Sequence, residues 1–257
     1  MGKGVVTIQQ DLNVHDAIKA MDEHNIGSIV VVDSLGPCGM FTERELVSRV
    51  LARGRNPEST LISEVASPRF PSVGSSETLE GVARAMIEKK SRLMVFEGAD
   101  LVGMVTPTDL VMAIRGVEKD FSILKVISTR IVSVIPETPI HEVVRMMDES
   151  KVGSVLVTED ERWTGIFTER DLLKRVLAPR RRLDIPVGEV TTRPLITAEP
   201  GIFGREVAGI MSLHRFKRLP LMLEGEGVGV VTARDVVEAF AMANRPNAPR
   251  VDWVQWN

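Results

Sequence analysis

The chain has 257 residues, of which 44% are apolar and 26% charged, an ordinary composition for a globular protein with its own core. Its formal net charge of −3 excludes a global basic field that would attract nucleic acid or anionic lipid, and its single cysteine, Cys38, excludes an intrachain disulfide. No signal peptide is visible, and no apolar run approaches the ~18 residues of a membrane helix. We therefore expect a cytoplasmic protein without membrane contact.

The N-terminal segment 1–56 is predicted to form a β-α-β-β-α unit. Strands are expected at 5–8, 28–32 and 39–41, and helices at 13–24 and 43–51. The first helix rests on apolar residues spaced by three, one and three positions, which lie on one helical face. These residues are Val14, Ala17, Ile18 and Met21.

A strand–helix motif repeats this unit along the chain. A Gly and two apolar residues lead to Thr-x-x-Asp or Thr-x-x-Glu, the Thr-x-x-acid motif, in GMFTEREL (39–46), GMVTPTDL (103–110), GIFTERDL (165–172) and GVVTARDV (229–236). The interval from Thr42 to Thr106 equals the interval from Thr168 to Thr232. Such repetition predicts four units followed by a tail that holds Trp253 and Trp256. Their boundaries are 1–56, 61–118, 123–180, 184–241 and, for the tail, 242–257.

The four units resemble the CBS domain, whose repeats occur in pairs called Bateman modules. A unit of this size buries only ~60% of its unfolded surface, so the units should share cores. The resemblance covers residues 4 to about 241. It implies an α+β fold of four CBS repeats in two Bateman pairs, each packing its sheets together, with the halves forming a disc. A head-to-head homodimer of chains is the alternative assembly.

The Thr-x-x-acid motif has two interpretations. As a capping box, Thr at the N-cap and the acid three residues later bond free N–H groups of the first helical turn. The box favours Glu or Gln, which only Glu45 supplies. In CBS domains that bind adenosine ligands, the Thr contacts phosphate or ribose, and the Asp accepts hydrogen bonds from the ribose hydroxyls. By this resemblance the ligand-facing pairs are Thr106/Asp109, Thr168/Asp171 and Thr232/Asp235, whereas Thr42, paired with Glu45, belongs to the ribose position least expected to be used.

Positive charge alternates before the middle strand of each unit. The even units carry Ser91-Arg92 and Lys217-Arg218, and the odd units carry Gly27-Ser28 and Gly153-Ser154. The segment from His214 to Pro220 looks like the His-Arg-Leu-Pro segment of γ subunits of AMP-activated protein kinase, where His-Arg contacts nucleotide phosphate. The resemblance implies phosphate contacts for Arg92, Arg218 and Lys217, and a solvated strand end is the simpler alternative.

Thr138 is a further candidate, because Thr138-Pro139 precedes the first helix of the third unit. It resembles a Thr-Pro beside the nucleotide in those γ subunits. Thr-Pro is also common at helix starts for capping reasons alone.

The resemblance implies a regulatory sensor of AMP, ADP or ATP that binds the nucleotide between paired units and acts on a separate effector protein. A scaffold with empty clefts is the first alternative. A binding module for S-adenosylmethionine or nucleic acid is the second, although the run 179–182 is the only basic seed for nucleic acid. We expect no enzyme, no catalytic residue and no metal, because the histidines and Cys38 show neither metal-ligand spacing nor a catalytic constellation.

Overall fold

The computed structural model describes residues 5–68 and 70–244. The predicted tail with Trp253 and Trp256 lies outside these residues. Within them, small sheets of strands and their helices follow one another in the repeating order that the sequence predicts. The α+β class with four repeats is confirmed.

Repeats 1 and 2 occupy the first half of the chain. Repeat 1 comprises β1 (Thr7–Gln9), α1 (Val14–Glu23), β2 (Ser28–Asp33), β3 (Gly36–Thr42) and α2 (Glu43–Glu45), and a short helix, α3 (Ile62–Val65), follows it. Repeat 2 comprises β4 (Ser72–Gly74), α4 (Leu79–Lys89), β5 (Leu93–Glu97), β6 (Asp100–Val105) and α5 (Pro107–Ile114). In each, the first strand runs parallel to the second and the third returns antiparallel, with Ser28 opposite Thr42 and Leu93 opposite Val105.

Repeats 3 and 4 occupy the second half. Repeat 3 comprises β7 (Ser133–Val134), α6 (Ile140–Glu149), β8 (Ser154–Glu159), β9 (Arg162–Thr168) and α7 (Glu169–Asp171). Repeat 4 comprises α8 (Gly204–His214), β10 (Arg218–Leu223), β11 (Glu226–Thr232) and α9 (Ala233–Ala243). The register of the antiparallel pairs recurs with the repeat, with Ser154 opposite Thr168 and Arg218 opposite Thr232.

The first strand predicted for repeat 4 is reduced to one parallel bridge, between Ala198 and Leu221. In the other three repeats, a residue of the second strand donates its N–H to the incoming segment: Val30 to Val6, Met94 to Pro71 and Leu156 to Val132. The equivalent residue of repeat 4 is Pro220, which has no N–H, so one rung of the ladder is missing.

The predicted helix at 43–51 begins as one α-helical turn, α2, and continues as a π-helix over Leu46–Val50. Repeat 3 does the same, since α7 continues as a π-helix over Leu172–Leu177. In repeat 1 the Ser48 hydroxyl donates to the carbonyl of Arg44 at 2.8 Å, which competes with the helical N–H for that acceptor. The matching helices of the even repeats, α5 and α9, remain α-helical.

Alternate repeats share cores. The described residues form two compact units, one of 6–68 and 131–195 (the 1–3 unit) and one of 70–130 and 196–244 with Val5 (the 2–4 unit). In the 1–3 unit the predicted apolar face of α1 is fully buried in one cluster with the equivalent face of α6. In the 2–4 unit, α4, α5, α8 and α9 bury their apolar faces together. The expected sharing of cores is confirmed, whereas the Bateman pairing, the disc and the domain boundaries stay predictions.

Candidate ligand-binding sites at the sheet ends

Three of the four Thr-x-x-acid motifs form complete capping boxes. The Thr168 N–H and hydroxyl donate to Asp171 Oδ2 at 2.9 and 2.7 Å, and the Asp171 N–H returns a bond to Thr168 Oγ1 at 3.2 Å. The same reciprocal pairing joins Thr106 to Asp109 and Thr232 to Asp235. The structural role of the motif is therefore present in these repeats, at the start of each second helix.

The prediction that only Glu45 suits the box is wrong. In repeat 1 the Thr42 hydroxyl donates to Glu45 Oε2, and Thr42 Oγ1 accepts from the Arg44 N–H at 3.1 Å, without the reciprocal box of the other copies. With one methylene more than Asp, Glu45 meets the threonine hydroxyl, whereas the shorter Asp arm in the other repeats also reaches the backbone N–H. Glu45 remains the copy that differs, as the sequence indicates.

The antiparallel register brings the predicted basic and acidic residues of repeat 4 to one end of its sheet. Arg218 is paired across the strands with Thr232, and the carbonyl of Lys217 accepts from the N–H of Ala233, the first residue of α9, at 2.8 Å. Asp235 lies in the first turn of that helix. A guanidinium-bearing residue, a hydroxyl and a carboxylate thus meet at the N-terminus of one helix.

Repeat 2 has the same arrangement. Arg92 immediately precedes Leu93, whose strand partner is Val105, so Arg92 lies at the sheet end that carries Thr106 and Asp109. In the odd repeats the corresponding positions hold Ser28, opposite Thr42, and Ser154, opposite Thr168. The register therefore places a basic residue beside the motif in the even repeats and a serine in the odd ones.

Thr138 lies elsewhere. It follows β7, which runs parallel to β8 with Val134 beside Val157, so it lies toward the hairpin end of the sheet, whereas Thr168 pairs with Ser154 at the other end. The Thr138 N–H donates to Ile135 at 3.1 Å, and its carbonyl accepts from Val187 at 2.9 Å. Within repeat 3 the structure does not bring Thr138 together with Thr168 and Asp171.

Three hydroxyl residues that the sequence motifs do not point to lie in segments that pair with third strands. Ser67, Ser128 and Thr192 belong to the connecting segments (66–68, 127–130 and 190–193), each of which forms an antiparallel bridge to a third strand. Ser67 bridges to Met40, Thr192 to Ile166 and Ser128 to Val230. The sequence does hold a signal, because the interval from Ser128 to Thr192 equals the interval from Thr42 to Thr106 in the motif itself.

The glycine that opens the motif makes room for the connecting segment. A Cβ atom on Gly39 would lie 2.8 Å from the carbonyl oxygen of Ser67, and one on Gly165 would lie 2.4 Å from Thr191 Cγ2. Such contacts are far shorter than van der Waals separation, so the bridge requires glycine at this position.

The pKa of Asp235 departs clearly from its ordinary value. Burial raises the pKa of Asp235 and Glu238 adds to the increase, while hydrogen bonds from Thr232 and the charge of Arg234 oppose it. Burial disfavours the charged carboxylate, and the bonds from Thr232 compensate only in part.

This shift predicts a pH dependence of stability. Because the folded-state pKa is raised, the contribution of Asp235 to stability is fully present below the unfolded pKa and is lost as pH rises through the folded pKa. The quantity to follow is the free energy of unfolding of the wild type minus that of Asp235→Asn. We expect this difference to fall as the pH rises from the unfolded to the folded pKa of Asp235, and to be constant at higher pH. Urea unfolding of both proteins between pH 3.5 and 7.5 measures this difference. A difference that rises with pH would contradict the assignment.

The family model that matches the chain is that of the CBS domain, over residues 1–52, 62–116, 122–178 and 187–242. The chain belongs to the CBS-domain family. It is similar to the CBS domain-containing protein CBSCBSPB3 of Arabidopsis thaliana, with 22% identity over 91% of this chain and 50% of that protein. It is also similar to the protein MJ1404 of Methanocaldococcus jannaschii, with 24% identity over 94% of this chain and 61% of that protein. The chain thus spans about half the length of the plant relative.

Two solved structures share the fold over nearly the whole chain. Protein MJ1225 of Methanocaldococcus jannaschii, described as a proposed archaeal homologue of g-AMPK, superposes with a TM-score of 0.77 at 18% identity, covering 93% of this chain and 97% of that one. A conserved protein of Pyrococcus horikoshii gives a TM-score of 0.65 at 23% identity, covering 93% and 96%. At these identities the likeness concerns the fold.

CBS repeats 1 and 3 are joined beside their motifs by the reciprocal ion pairs, Glu43 with Arg170 and Arg44 with Glu169. Both glutamates are buried, and the Arg44 Nε to Glu169 Oε1 distance is 3.0 Å. A Cβ atom on Gly27 would lie 2.7 Å from Glu43 Oε2 and 2.9 Å from Arg170 Nη2. The glycine at position 27 therefore leaves space for the pair of Glu43 with Arg170.

The basic run at 179–182 is compensated by acidic side chains. Arg180 pairs with Glu58 at 3.2 Å, Arg181 pairs with Glu189, and Arg182 Nε donates to Asp184 Oδ1 at 2.9 Å. Because each arginine has a carboxylate partner, the run does not present the uncompensated basic stripe that a nucleic-acid backbone requires.

An open depression of about 640 Å³ lies at the hairpin end of the repeat 3 sheet. Its lining includes three carboxylates, Glu137, Glu159 and Asp160, and the guanidinium of Arg193, which pairs with Glu159. This excess of negative charge disfavours a phosphate ligand, so the depression is a poorer candidate than the sheet ends.

Among the described residues no cluster of histidine, cysteine or carboxylate side chains could hold a metal ion. No helix in the described part of the chain is long and apolar enough to cross a membrane.

Proposed function

We propose that this tandem CBS module is a regulatory sensor that binds an adenine nucleotide, AMP, ADP or ATP, and acts on a separate partner protein without catalysing a reaction. The observation that carries the proposal is the pairing of Arg218 with Thr232 at the sheet end where α9 begins and where Asp235 lies. The four-repeat fold that the chain shares with MJ1225 supports it.

The chemistry of this sheet end complements a nucleotide in two parts. The guanidinium of Arg218, the ammonium of Lys217 and the N-terminus of α9 favour an anion such as a phosphate group. The carboxylate of Asp235 accepts hydrogen bonds from vicinal hydroxyls, which the ribose supplies. Arg92 with Thr106 and Asp109 offers the same groups in repeat 2, except that Ser91 replaces Lys217. Thr42, Thr168 and Asp171 hold the equivalent motif positions of the odd repeats, where a serine stands in place of the arginine, and the ligand is not assigned to them.

A sensor must bind its ligand more tightly in one conformation than in another, because only differential affinity shifts a partner. We therefore place the regulatory output in a conformational change of the repeats that the partner reads. The partner is a protein outside this chain.

The test is a titration followed by thermal unfolding and calorimetry. Nucleotide at 100 times its Kd stabilises the folded state by about 2.7 kcal/mol. In a domain of this size that corresponds to an increase in Tm of about 5–10 °C. Arg218→Ala should weaken AMP binding about tenfold while leaving adenosine binding unchanged, because only AMP carries the phosphate. Arg145→Ala, which removes an exposed arginine paired with Glu149 on α6, is the matched control. If Arg218→Ala lowers the affinities for AMP and for adenosine equally, the proposed contact of Arg218 with the phosphate is contradicted.

The complete capping boxes favour a second candidate, a scaffold that assembles a partner without binding a ligand. In that case Thr106, Thr168 and Thr232 act only as N-caps, and denatured protein releases no ultraviolet-absorbing ligand. The scaffold also predicts no change in Tm with AMP, ADP, ATP or S-adenosylmethionine. A response to S-adenosylmethionine alone would leave Arg218 without a phosphate to contact and would replace the nucleotide with that ligand.

A further inference from the structure

Both carboxylate oxygens of Asp171 accept hydrogen bonds from residues of this chain. Oδ2 accepts from the N–H and the hydroxyl of Thr168, at 2.9 and 2.7 Å. Oδ1 accepts from the hydroxyl of Thr192 at 2.9 Å and lies 3.4 Å from Arg175 Nε. The residue is only 8% exposed, so a ligand would have to displace these partners to reach it.

The partners of Asp171 also hold the segment that leads to repeat 4. Thr192 forms the backbone bridge to Ile166, with N–H···O distances of 2.9 and 3.2 Å. Arg175, which pairs with Asp171, donates through Nη1 to the carbonyl of Val190 at 2.9 Å. Asp171 is thus the point at which the connecting segment is attached to the second helix of repeat 3.

Repeat 1 also holds its connecting segment with an arginine at the equivalent place. Arg49 donates through Nη1 to the carbonyls of Val65 and Ala66, at 3.2 and 2.9 Å, next to the bridge between Met40 and Ser67. Arg49 and Arg175 each follow the acid of their motif by four residues. An arginine at this position therefore accompanies an attached connecting segment in both odd repeats.

The even repeats lack this arginine. Ala113 follows Asp109 by four residues, and Ala239 follows Asp235 by four. Their basic residues lie instead on the other side of the motif, at the start of the middle strand, as Arg92 and Arg218. The odd repeats thus carry an arginine beside the connecting segment, and the even repeats carry one at the start of the middle strand.

We propose that Asp171 is a structural latch, a residue that fastens the connecting segment 190–193 to the second helix of repeat 3, rather than a ribose contact. We propose also that Asp235 is the acid that contacts the ligand in the second half of the chain. The assignment of Asp235 rests on the proposed function, whereas the latch is independent of any ligand. The raised pKa of Asp235 agrees with this division, since its carboxylate is partly buried and no arginine follows it by four residues.

The test compares Asp171→Asn, Thr192→Val and their double variant with Asp235→Asn, all in the full chain. We expect Asp171→Asn and Thr192→Val each to lower Tm by several degrees. The double variant should lower Tm by clearly less than the sum, because both changes remove the same charge-assisted hydrogen bond from the Thr192 hydroxyl to the Asp171 carboxylate. All three should bind AMP within about twofold of the wild-type Kd. Asp235→Asn should raise the Kd for AMP at least tenfold without lowering Tm.

Each opposite result is decisive. Additive losses of Tm in the double variant would overturn the latch. A tenfold weaker affinity for AMP in Asp171→Asn with an unchanged Tm would make Asp171 a ligand contact. Unchanged affinity in Asp235→Asn would overturn its role while the proposed function stands. Absence of binding to wild-type protein of AMP, ADP or ATP would overturn the proposed function and the role of Asp235, and the double variant would still decide the latch.

Discussion

Replacing Arg170 with alanine is expected to lower the free energy of unfolding by about 3 kcal/mol, since breaking a buried ion pair typically costs ~3–5 kcal/mol. The substitution leaves the carboxylate of Glu43, a buried residue, without its guanidinium partner. Arg170 Nη1 also donates to the carbonyl of Asn25 at 3.1 Å, and that bond is lost as well. The Arg170 side chain is itself 25% exposed, which places the loss at the lower end of the range. Urea unfolding at neutral pH measures it.

Two further variants test the cause. Glu43→Gln in the Arg170→Ala background removes the negative charge that Arg170 balances in the wild type, and should recover part of the stability. Arg44→Ala breaks the second of the reciprocal ion pairs, but Arg44 is 40% exposed, so its loss should be smaller. Arg145→Ala serves as control, because its pair with Glu149 is exposed and worth ~0.5 kcal/mol or less. If Arg170→Ala is no more destabilising than Arg145→Ala, the buried pair contributes nothing net.

The repeat and its elements could be predicted because the information is local. The spacing of apolar residues in α1 and α6 and the fixed interval between threonines are visible in the sequence alone. The partners of the reciprocal ion pairs were not predictable, because Arg170 meets a glutamate 127 residues earlier in the chain. The Glu-Arg of repeats 1 and 3 has no local explanation, and only the folding of those repeats into one unit supplies it.

The capping prediction failed for a related reason. General statistics favour Glu at the third helical position, yet the carboxylates of Asp109, Asp171 and Asp235 all reach the threonine N–H, at 2.7–2.9 Å. The four threonines share an extended backbone, with φ from −134° to −106° and ψ from 162° to 168°, so the length of the acidic side chain decides which threonine group it reaches.

The candidate site was predictable in its strand and helix residues and not in its connecting segments. The alternation of Arg92 and Arg218 with serine is visible in an internal alignment, and the strand register places Arg218 opposite Thr232. The contact of Thr192 was not predictable, because Thr192 lies outside the regular elements and reaches Asp171 only where its segment bridges to a strand. The same bridge explains why the motif begins with glycine. The sequence shows this glycine, but not the close approach of the connecting segment that requires it.

Phe121→Ala should cost the 2–4 unit about 3–5 kcal/mol, the usual loss for a buried phenylalanine. Phe121 is 4% exposed and stands edge-on to Phe240, with ring centroids 5.8 Å apart. Its ring fills the space at Gly204, where a Cβ atom would lie 2.1 Å from Phe121 Cε2. This explains why repeat 4 has glycine where repeat 2 has Leu79, since a side chain supplied from outside the helix takes the place of the leucine.

Gly204→Leu alone should also destabilise the protein, by about 1–3 kcal/mol or more, because it overpacks a filled site. Combined with Phe121→Ala, the leucine enters the vacated volume, so the double variant should be less destabilised than the sum of the two single variants by about 1 kcal/mol or more. Phe203→Ala is the matched control, since Phe203 precedes Gly204 in the chain and is 54% exposed. Denaturant unfolding of the four variants gives the coupling energy. Strict additivity, or a loss for Phe203→Ala equal to that for Phe121→Ala, would show that the ring does not occupy the place of the missing side chain.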